Sequence, residues 1–253
     1  MFNGKVAIIT GAAQGVGAAF ATRLALEGCK VVLTDQQEKI QTVASTLGAS
    51  YHVGNVADAT HVKSVVDATV SDFGTVDILI NNAGEVLPTG PGDDWNKSLQ
   101  DFDQIFGSNI RGAFLFGRAV APIMIKQNSG EIINVSTDHV KPAPGSNRHH
   151  GHGHMDLYNA SKWALNGLTF DWAKALADYN IRVNNLCIGA TDTEMLRSWS
   201  GSNPDPKLVN TWMKPEETAE VLVQLLLEGS KGRTGDNIGL YAGHPCVLPK
   251  AEE

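Results

Sequence analysis

The sequence predicts a doubly wound α/β fold, a parallel sheet of about seven strands with helices on both faces. Three observations predict it. Short β-branched runs alternate with longer segments of helical period. The strand candidates are apolar along most of their length, as strands buried on both faces must be. No repeat, low-complexity tract or linker divides the chain, so residues 1–253 read as a single domain.

The elements follow in order. Residues 5–10 form the first strand, on Val6-Ala7-Ile8-Ile9, and a glycine-rich turn leads into an alanine-rich helix over 15–28 that Gly28 stops. The second strand, 30–35, carries Val31-Val32-Leu33 and feeds a helix over 36–47 that ends at Gly48. Strands at 50–54 and 76–81 flank a helix over 58–73. Two long helices, 100–127 and 157–179, surround a fifth strand at 130–136, and the sixth strand runs over 181–188. Lys214-Pro215-Glu216-Glu217 puts proline and acids in the first turn of a helix reaching residue 228, ahead of a last strand at 237–241. Three segments without period, 85–97, 138–156 and 191–213, each follow a strand's C-terminal end. Doubly wound sheets bind their ligands at that edge, and residues 191–214 are expected to form a lid there.

Composition excludes several function classes. With 42% hydrophobic and 19% charged residues, the chain can bury a full core, which excludes disorder. Lys plus Arg number 20 against 27 Asp plus Glu, and a net charge of −7 offers no field for nucleic acid. The opening MFNGKVAIITG lacks the long apolar stretch of a secretory signal, and no run reaches the length of a membrane span. The expectation is a cytoplasmic protein with neither a membrane nor a nucleic-acid partner. Cys29, Cys187 and Cys246 form no CxxC pair and sit in or beside apolar segments, as structural thiols do in a reducing compartment.

After the first strand comes Gly11-Ala12-Ala13-Gln14-Gly15-Val16-Gly17, then a helix. Glycine permits the tight turn and a close backbone approach to a pyrophosphate, which the free N–H groups of the helix then face. Asp35 ends the second strand, where a carboxylate can accept hydrogen bonds from an adenosine ribose; capping of the next helix is the plainer role. A 2′-phosphate there would meet like charge, costing about 4 kcal/mol for a unit pair at 4 Å and an effective dielectric near 20. No Lys or Arg stands at positions 13, 14, 36 or 37 to relieve it. The expected cofactor is NAD.

Tyr158 and Lys162 lie four residues apart and share a helix face. An ammonium there can stabilise a phenolate. Lowering a tyrosine from near 10 by about three units takes about 4 kcal/mol, which that cation plus a positively charged nicotinamide can supply. Tyr158 would then be the base in alcohol oxidation and the acid in ketone reduction.

Taken together, Thr10-Gly11-x-x-x-Gly15-x-Gly17, Asn81-Asn82-Ala83-Gly84, Asn109 in Ser108-Asn109-Ile110-Arg111-Gly112, and Tyr158-Asn159-Ala160-Ser161-Lys162 make the chain resemble the short-chain dehydrogenase/reductase family in its single-domain form, over nearly its whole length. The resemblance implies a Rossmann-type fold. It also implies a cofactor site from Gly11, Gln14, Gly15, Val16, Gly17, Asp35, Asn55, Val56, Asn82, Ala83, Gly84, Tyr158, Lys162, Ile188, Gly189, Thr191 and Thr193. The catalytic residues it implies are Asn109, Thr137, Tyr158 and Lys162, with Lys162 also bonded to the nicotinamide ribose and Asn109 in a proton relay through water.

The sequence departs from the family pattern in several places. The usual Asn-x-Ser-Ser reads Asn134-Val135-Ser136-Thr137, which assigns the catalytic hydroxyl to Thr137, with Ser136 the substitute if the register shifts. Thr137 and Tyr158 are separated by more than the family's usual spacing. The insertion includes His149, His150, His152 and His154, which read as a metal site, as substrate contacts or as a solvated loop; no metal is expected. Ile188-Gly189 stands where Pro-Gly is usual, and Asn55-Val56 where Asp-Val is usual.

The expected substrate pocket takes Glu85, Asp138, His154, Met195 and Trp199, with Leu87, Val140, Leu196 and Trp212 beside them. Trp199 and Trp212 read equally as a lid over an apolar body or as anchors of their own loop. The expected reaction is reversible, NAD-dependent hydride transfer between a secondary alcohol (cyclic, aromatic or polyol-like) and its ketone. A catalytically weak NAD(H)-binding sensor is the alternative, and a sugar-nucleotide epimerase or dehydratase is disfavoured for want of a larger C-terminal region. The resemblance also implies a homodimer or homotetramer built on the two long helices, which carry Phe106, Phe114, Phe116, Trp163, Phe170 and Trp172.

Overall fold

A computed structural model of the chain describes residues 1–145, 153–201 and 204–251. Its framework is one sheet made of β1 (Val6–Thr10), β2 (Lys30–Asp35), β3 (Ser50–Val53), β4 (Ile78–Asn81), β5 (Gly130–Thr137), β6 (Ile181–Ile188) and β7 (Asn237–Leu240). The strand order is β3-β2-β1-β4-β5-β6-β7, and every pairing is parallel. The order reverses between β1 and β4, which opens a crevice outside their C-terminal ends.

Alternation along the strands explains the two cores. Ile9, Ile80 and Ile133 face one side and pack with Phe20 and Leu24 of α1 (Gly15–Leu26) and Leu222 and Leu225 of the helix Pro215–Leu227. Their neighbours Ile8, Leu79 and Ile132 face the other side, where Val65 and Val66 of the helix Ala59–Phe73 meet Phe116, Val120 and Met124 of the helix Ala113–Gln127. Both faces are apolar because both are covered, which is why the strands read as continuous apolar runs.

With α2 as Ile40–Leu47 and α3 as Ala59–Phe73, the helix expected over 100–127 proves to be three pieces. It starts earlier, as α4 (Trp95–Phe106), capped by the Asp94 carboxylate accepting from Lys97 N. A π-helical stretch, Gly107–Gly112, then widens the turn before α5 (Ala113–Gln127). The other long helix is α6 (Asp156–Leu176). The lid segment contains two short helices, α7 (Glu194–Trp199) and α8 (Pro206–Val209), ahead of α9 (Pro215–Leu227). An isolated parallel bridge between Thr191 and Met213 ties off its base.

The aromatic residues of the long helices divide. Phe116 is fully buried and Trp172 packs against the core beside Gly117. Phe114, Trp163 and Phe170 are exposed, and Phe106 stacks on the exposed Phe102 with ring centroids 4.3 Å apart. Among the described residues no helix is long and apolar enough to cross a membrane.

At the sheet edge opposite the crevice, Arg182 is 2% exposed and donates to Glu131 Oε1 (2.9 Å), Leu225 O (3.0 Å) and Arg233 O (3.0 Å). Glu228 faces the same guanidinium and pairs with Arg233. Glu131 Oε2 is buried without a partner, and burial pushes the Glu131 carboxyl up to about 7, against the pull of Arg182.

Candidate active site

A cavity of about 650 Å³ opens at the C-terminal edge of β1, β2, β4, β5 and β6. Its floor is the turn after β1. Gly11 and Gly15 have φ of 66° and 55°, and a Cβ on Gly17 would lie 2.2 Å from Gly11 O. A Cβ on Gly11 would lie 2.8 Å from Ala83 Cα. These positions therefore need glycine. Gln14 precedes α1 in an extended conformation without a side-chain cap, and the first turn of α1 holds no acidic residue. That helix end presents its N–H groups to the cavity and fits a diphosphate. Val16, behind Gly15, lines the same wall.

Asp35, 7% exposed, lines the β2 side; its carboxylate accepts from Ala13 N and Gln37 N, both at 3.0 Å. Those bonds fix the carboxylate at the mouth of the glycine turn and leave lone pairs for a ribose. The nearby cation is Lys39, which the sequence reading did not weigh. It bonds Gln14 and forms an ion pair with Glu194 of α7 at 2.9 Å. Asn55 and Val56 line the cavity beyond β3, with Asn55 Oδ1 taken by Ala57 N at 2.8 Å.

The Asn81–Gly84 segment is locked to β1. Thr10 Oγ1 accepts from Asn82 N and Ala83 N, and Asn82 Nδ2 donates to Thr10 O and Gly11 O at 3.0 Å. The Asn82 amide thus holds the glycine turn in place, a positioning role, while Ala83 and Gly84 line the cavity. Asn109 acts similarly. It projects from the π-helical stretch, is 2% exposed, and grips Glu85 at both backbone groups: Oδ1 accepts from Glu85 N (2.7 Å) and Nδ2 donates to Glu85 O (3.0 Å). Its Nδ2 also donates to Ser161 Oγ at 2.9 Å. π-Helical insertions recur at functional sites, and here one delivers a buried amide to the end of β4.

Glu85 of the expected substrate set lines the cavity. Its side-chain oxygens accept from Gln36 Nε2, on the residue after Asp35, and from Gln104 Nε2 of α4. His154 belongs to the same expected set. It is exposed, its carbonyl accepts from Thr89 N at 3.0 Å, and it is not among the residues lining the cavity. Its neighbours His149, His150 and His152 lie outside the described residues. Among the described residues no cluster of three or more His, Cys, Asp or Glu could hold a metal.

Thr137, at the end of β5, and Tyr158, in the first turn of α6, both line the cavity. Ser136 Oγ is instead buried without a hydrogen-bond partner, beside Cys187 in the β5–β6 pairing. Both hydroxyls left open by the sequence line the cavity, and it is the one at Thr137 that bears on the acidity of the phenol. The Lys162 ammonium lies 5.7 Å from the Tyr158 ring centroid and donates to Val135 O at 2.8 Å. The two residues do share a helix face.

Their acidities differ from the expectation. Burial pushes the Tyr158 phenol up to about 12, the Thr137 hydrogen bond opposes this, and the Asp138 charge adds to it. Burial likewise lowers Lys162 to about 8, which leaves it mostly charged at neutral pH. The protein's own groups therefore hold a protonated phenol beside a cation. Three cysteine thiols, at 29, 187 and 246, are free and are raised to about 12, 12 and 11 by burial, as inert structural thiols are.

The rest of the cavity wall comes from Asp138, His139, Ile188, Gly189, Thr191, Thr193, Met195, Leu196 and Trp199. Asp138 Oδ1 accepts from Thr137 Oγ1 at 3.3 Å, and a Cβ on Gly189 would lie 2.8 Å from Asp138 Oδ2. His139, missed by the sequence reading, stands edge-on to the Tyr158 ring and bonds Asn159 through Nδ1. The two lid tryptophans part company. Trp199 lines the cavity, while Trp212 is 8% exposed and anchors the segment in the interior. Leu87 and Val140 do not line the cavity.

Residues 5–203 match the family description "short chain dehydrogenase". The chain is 33% identical over 254 residues to a 3-oxoacyl-(acyl-carrier-protein) reductase of Thermotoga maritima, covering 95% of this chain and 98% of that protein. It is 32% identical over 253 residues to a D-threitol dehydrogenase of Mycolicibacterium smegmatis, covering 96% and 93%. Among solved structures, a 3-ketoacyl-(acyl-carrier-protein) reductase from Brucella melitensis complexed with NADH superposes with a TM-score of 0.81 at 29% identity, covering 98% of this chain and all of that one.

Proposed function

This chain belongs to the short-chain dehydrogenase family, and from that premise we propose an NAD-preferring oxidoreductase that transfers hydride reversibly between a secondary alcohol, cyclic, aromatic or polyol-like, and its ketone. The observation that carries this reading is one continuous cavity with the glycine turn and Asp35 at one end and Thr137, Tyr158 and Lys162 at the other. A cradle that any Cβ would fill and an uncapped helix end suit a diphosphate, and the Asp35 carboxylate suits an unphosphorylated ribose. When bound, the oxidised dinucleotide supplies the hydride acceptor and a positive ring charge.

The chain's own groups manage the proton. In ketone reduction Tyr158 is already protonated and donates to the substrate oxygen, which Thr137 Oγ1 positions by a hydrogen bond. In alcohol oxidation Tyr158 would first release its proton to solvent, which the positive ring of the oxidised dinucleotide and the Lys162 ammonium, tethered to Val135 O, would favour, and the phenolate would then take the hydroxyl proton. Asn109 fixes the Glu85 backbone and Ser161, and with them the shape of the site floor. Residues 191–214 serve as a lid carrying Met195 and Trp199 over the substrate. Asp138 suits a substrate with further hydroxyls, in keeping with the relative named for D-threitol. Exposed Phe114, Trp163 and Phe170 on α5 and α6 supply the apolar face for a homodimer or homotetramer.

A spectrophotometric panel of secondary alcohols and polyols, run with NAD and with NADP, tests the proposal. Turnover with NAD on at least one alcohol supports it. Tight NADH binding with no turnover on any alcohol or ketone would leave the sensor reading in its place, and equal rates with NADP would overturn the role given to Asp35.

A further inference from the structure

Glu85 has an unusual setting. Its backbone is held at N–H and C=O by one buried amide, that of Asn109. Its side chain bridges Gln36, the residue after Asp35, and Gln104 of α4. Asp35, Gln36 and Glu85 all line the cavity, and the Gln36 amide links the Glu85 side chain to the β2 exit. Both acceptor bonds come from neutral amides, so they orient the carboxylate without neutralising it. Asp35, by contrast, has two backbone N–H dipoles directed at its charge. The cation on this rim, Lys39, is drawn to Glu194 on α7.

We propose that Glu85 is a second specificity-determining carboxylate at the adenosine end, which disfavours a ribose 2′-phosphate alongside Asp35. This inference rests on the proposed use of NAD and adds a residue that the glycine turn and β2 do not contain. A 2′-phosphate carries a charge of nearly −2 at neutral pH. Placed beside Gln36, it would meet two carboxylates of like sign and displace the Gln36 amide from Glu85. Glu85 is partly exposed, so solvent and salt screen the repulsion, and the effect belongs to tens rather than thousands in affinity ratio.

The test is a fluorescence titration of the full chain with NADH and with NADPH, read as the ratio of the NADPH to the NADH dissociation constant. Glu85→Gln keeps the shape and removes the charge, and it is expected to lower that ratio by about fivefold or more, by an amount that shrinks as salt rises. Glu85→Asp keeps the charge and is expected to hold the ratio within about twofold. Gln36→Lys, which sets a cation beside the carboxylate, is expected to lower it as well. An unchanged ratio in Glu85→Gln, in a wild type that does prefer NADH, would overturn this inference alone. A wild type that binds both dinucleotides equally, or neither, would overturn the NAD reading with it.

Discussion

Replacing Glu131 by Gln at the base of β5 isolates one buried charge. In the folded chain the carboxyl sits at about 7 because burial outweighs the 2.9 Å bond from Arg182, and Oε2 has no partner. In the unfolded chain the same group titrates near 4.5. The folded state therefore favours the protonated form. Its stabilising contribution is complete below pH 4.5 and is lost as pH rises towards 7. A difference of about 2.5 units at 1.36 kcal/mol each gives about 3 kcal/mol at most. Arg182 keeps its bonds to Leu225 O and Arg233 O in the variant. Urea unfolding of wild type and Glu131→Gln at fixed protein concentration, from pH 4.5 to 8, measures the effect as a difference in midpoint at constant slope. The variant is expected to gain on wild type by about 2 to 3 kcal/mol across that range. A stability difference that stays flat with pH would refute the reasoning.

Three further outcomes are expected. Gly17→Ala drives a methyl into Gly11 O, so it should cost about 3 kcal/mol of stability and abolish NADH binding in a fluorescence titration. Thr137→Ser should keep turnover while Thr137→Val loses about a hundredfold or more in kcat; Ser136→Ala should stay near wild type, and the opposite pattern would move the hydroxyl role to Ser136. Asn109→Ala frees the Glu85 backbone and leaves Glu85 N–H and O without their partners, so chemical denaturation should show a loss of about 2 to 4 kcal/mol.

The central strands were legible because they are buried on both faces, and Val6–Thr10 is buried at every position, with an apolar run that leaves no alternation to mislead. The glycine turn, Asp35 and the Tyr158–Lys162 pair were legible because local spacing alone sets their geometry. The start of α4 was missed since Trp95, Asn96 and Lys97 are solvent-facing and lack a periodic apolar face; the Asp94 cap was the available signal. Thr193 and Asp205 were equivalent signals for α7 and α8, whose side-chain oxygens cap them. No sequence pattern marks the π-helical widening at Gly107–Gly112. The destination of the Glu85 side chain depends on Gln36 and Gln104, partners remote in sequence, and such contacts are settled only by the assembled fold.

The acidity of Tyr158 in the chain alone, pushed to about 12, makes its proton the quantity to follow. The most direct measurement is single-turnover hydride transfer in Tyr158→Phe with an alcohol that wild type oxidises, monitored at the nicotinamide absorbance with NADH affinity measured in parallel. The expected result is a fall of about a thousandfold or more in the transfer rate, with NADH affinity within a few-fold of wild type. A variant that transfers hydride within tenfold of the wild-type rate would contradict a proton held at Tyr158.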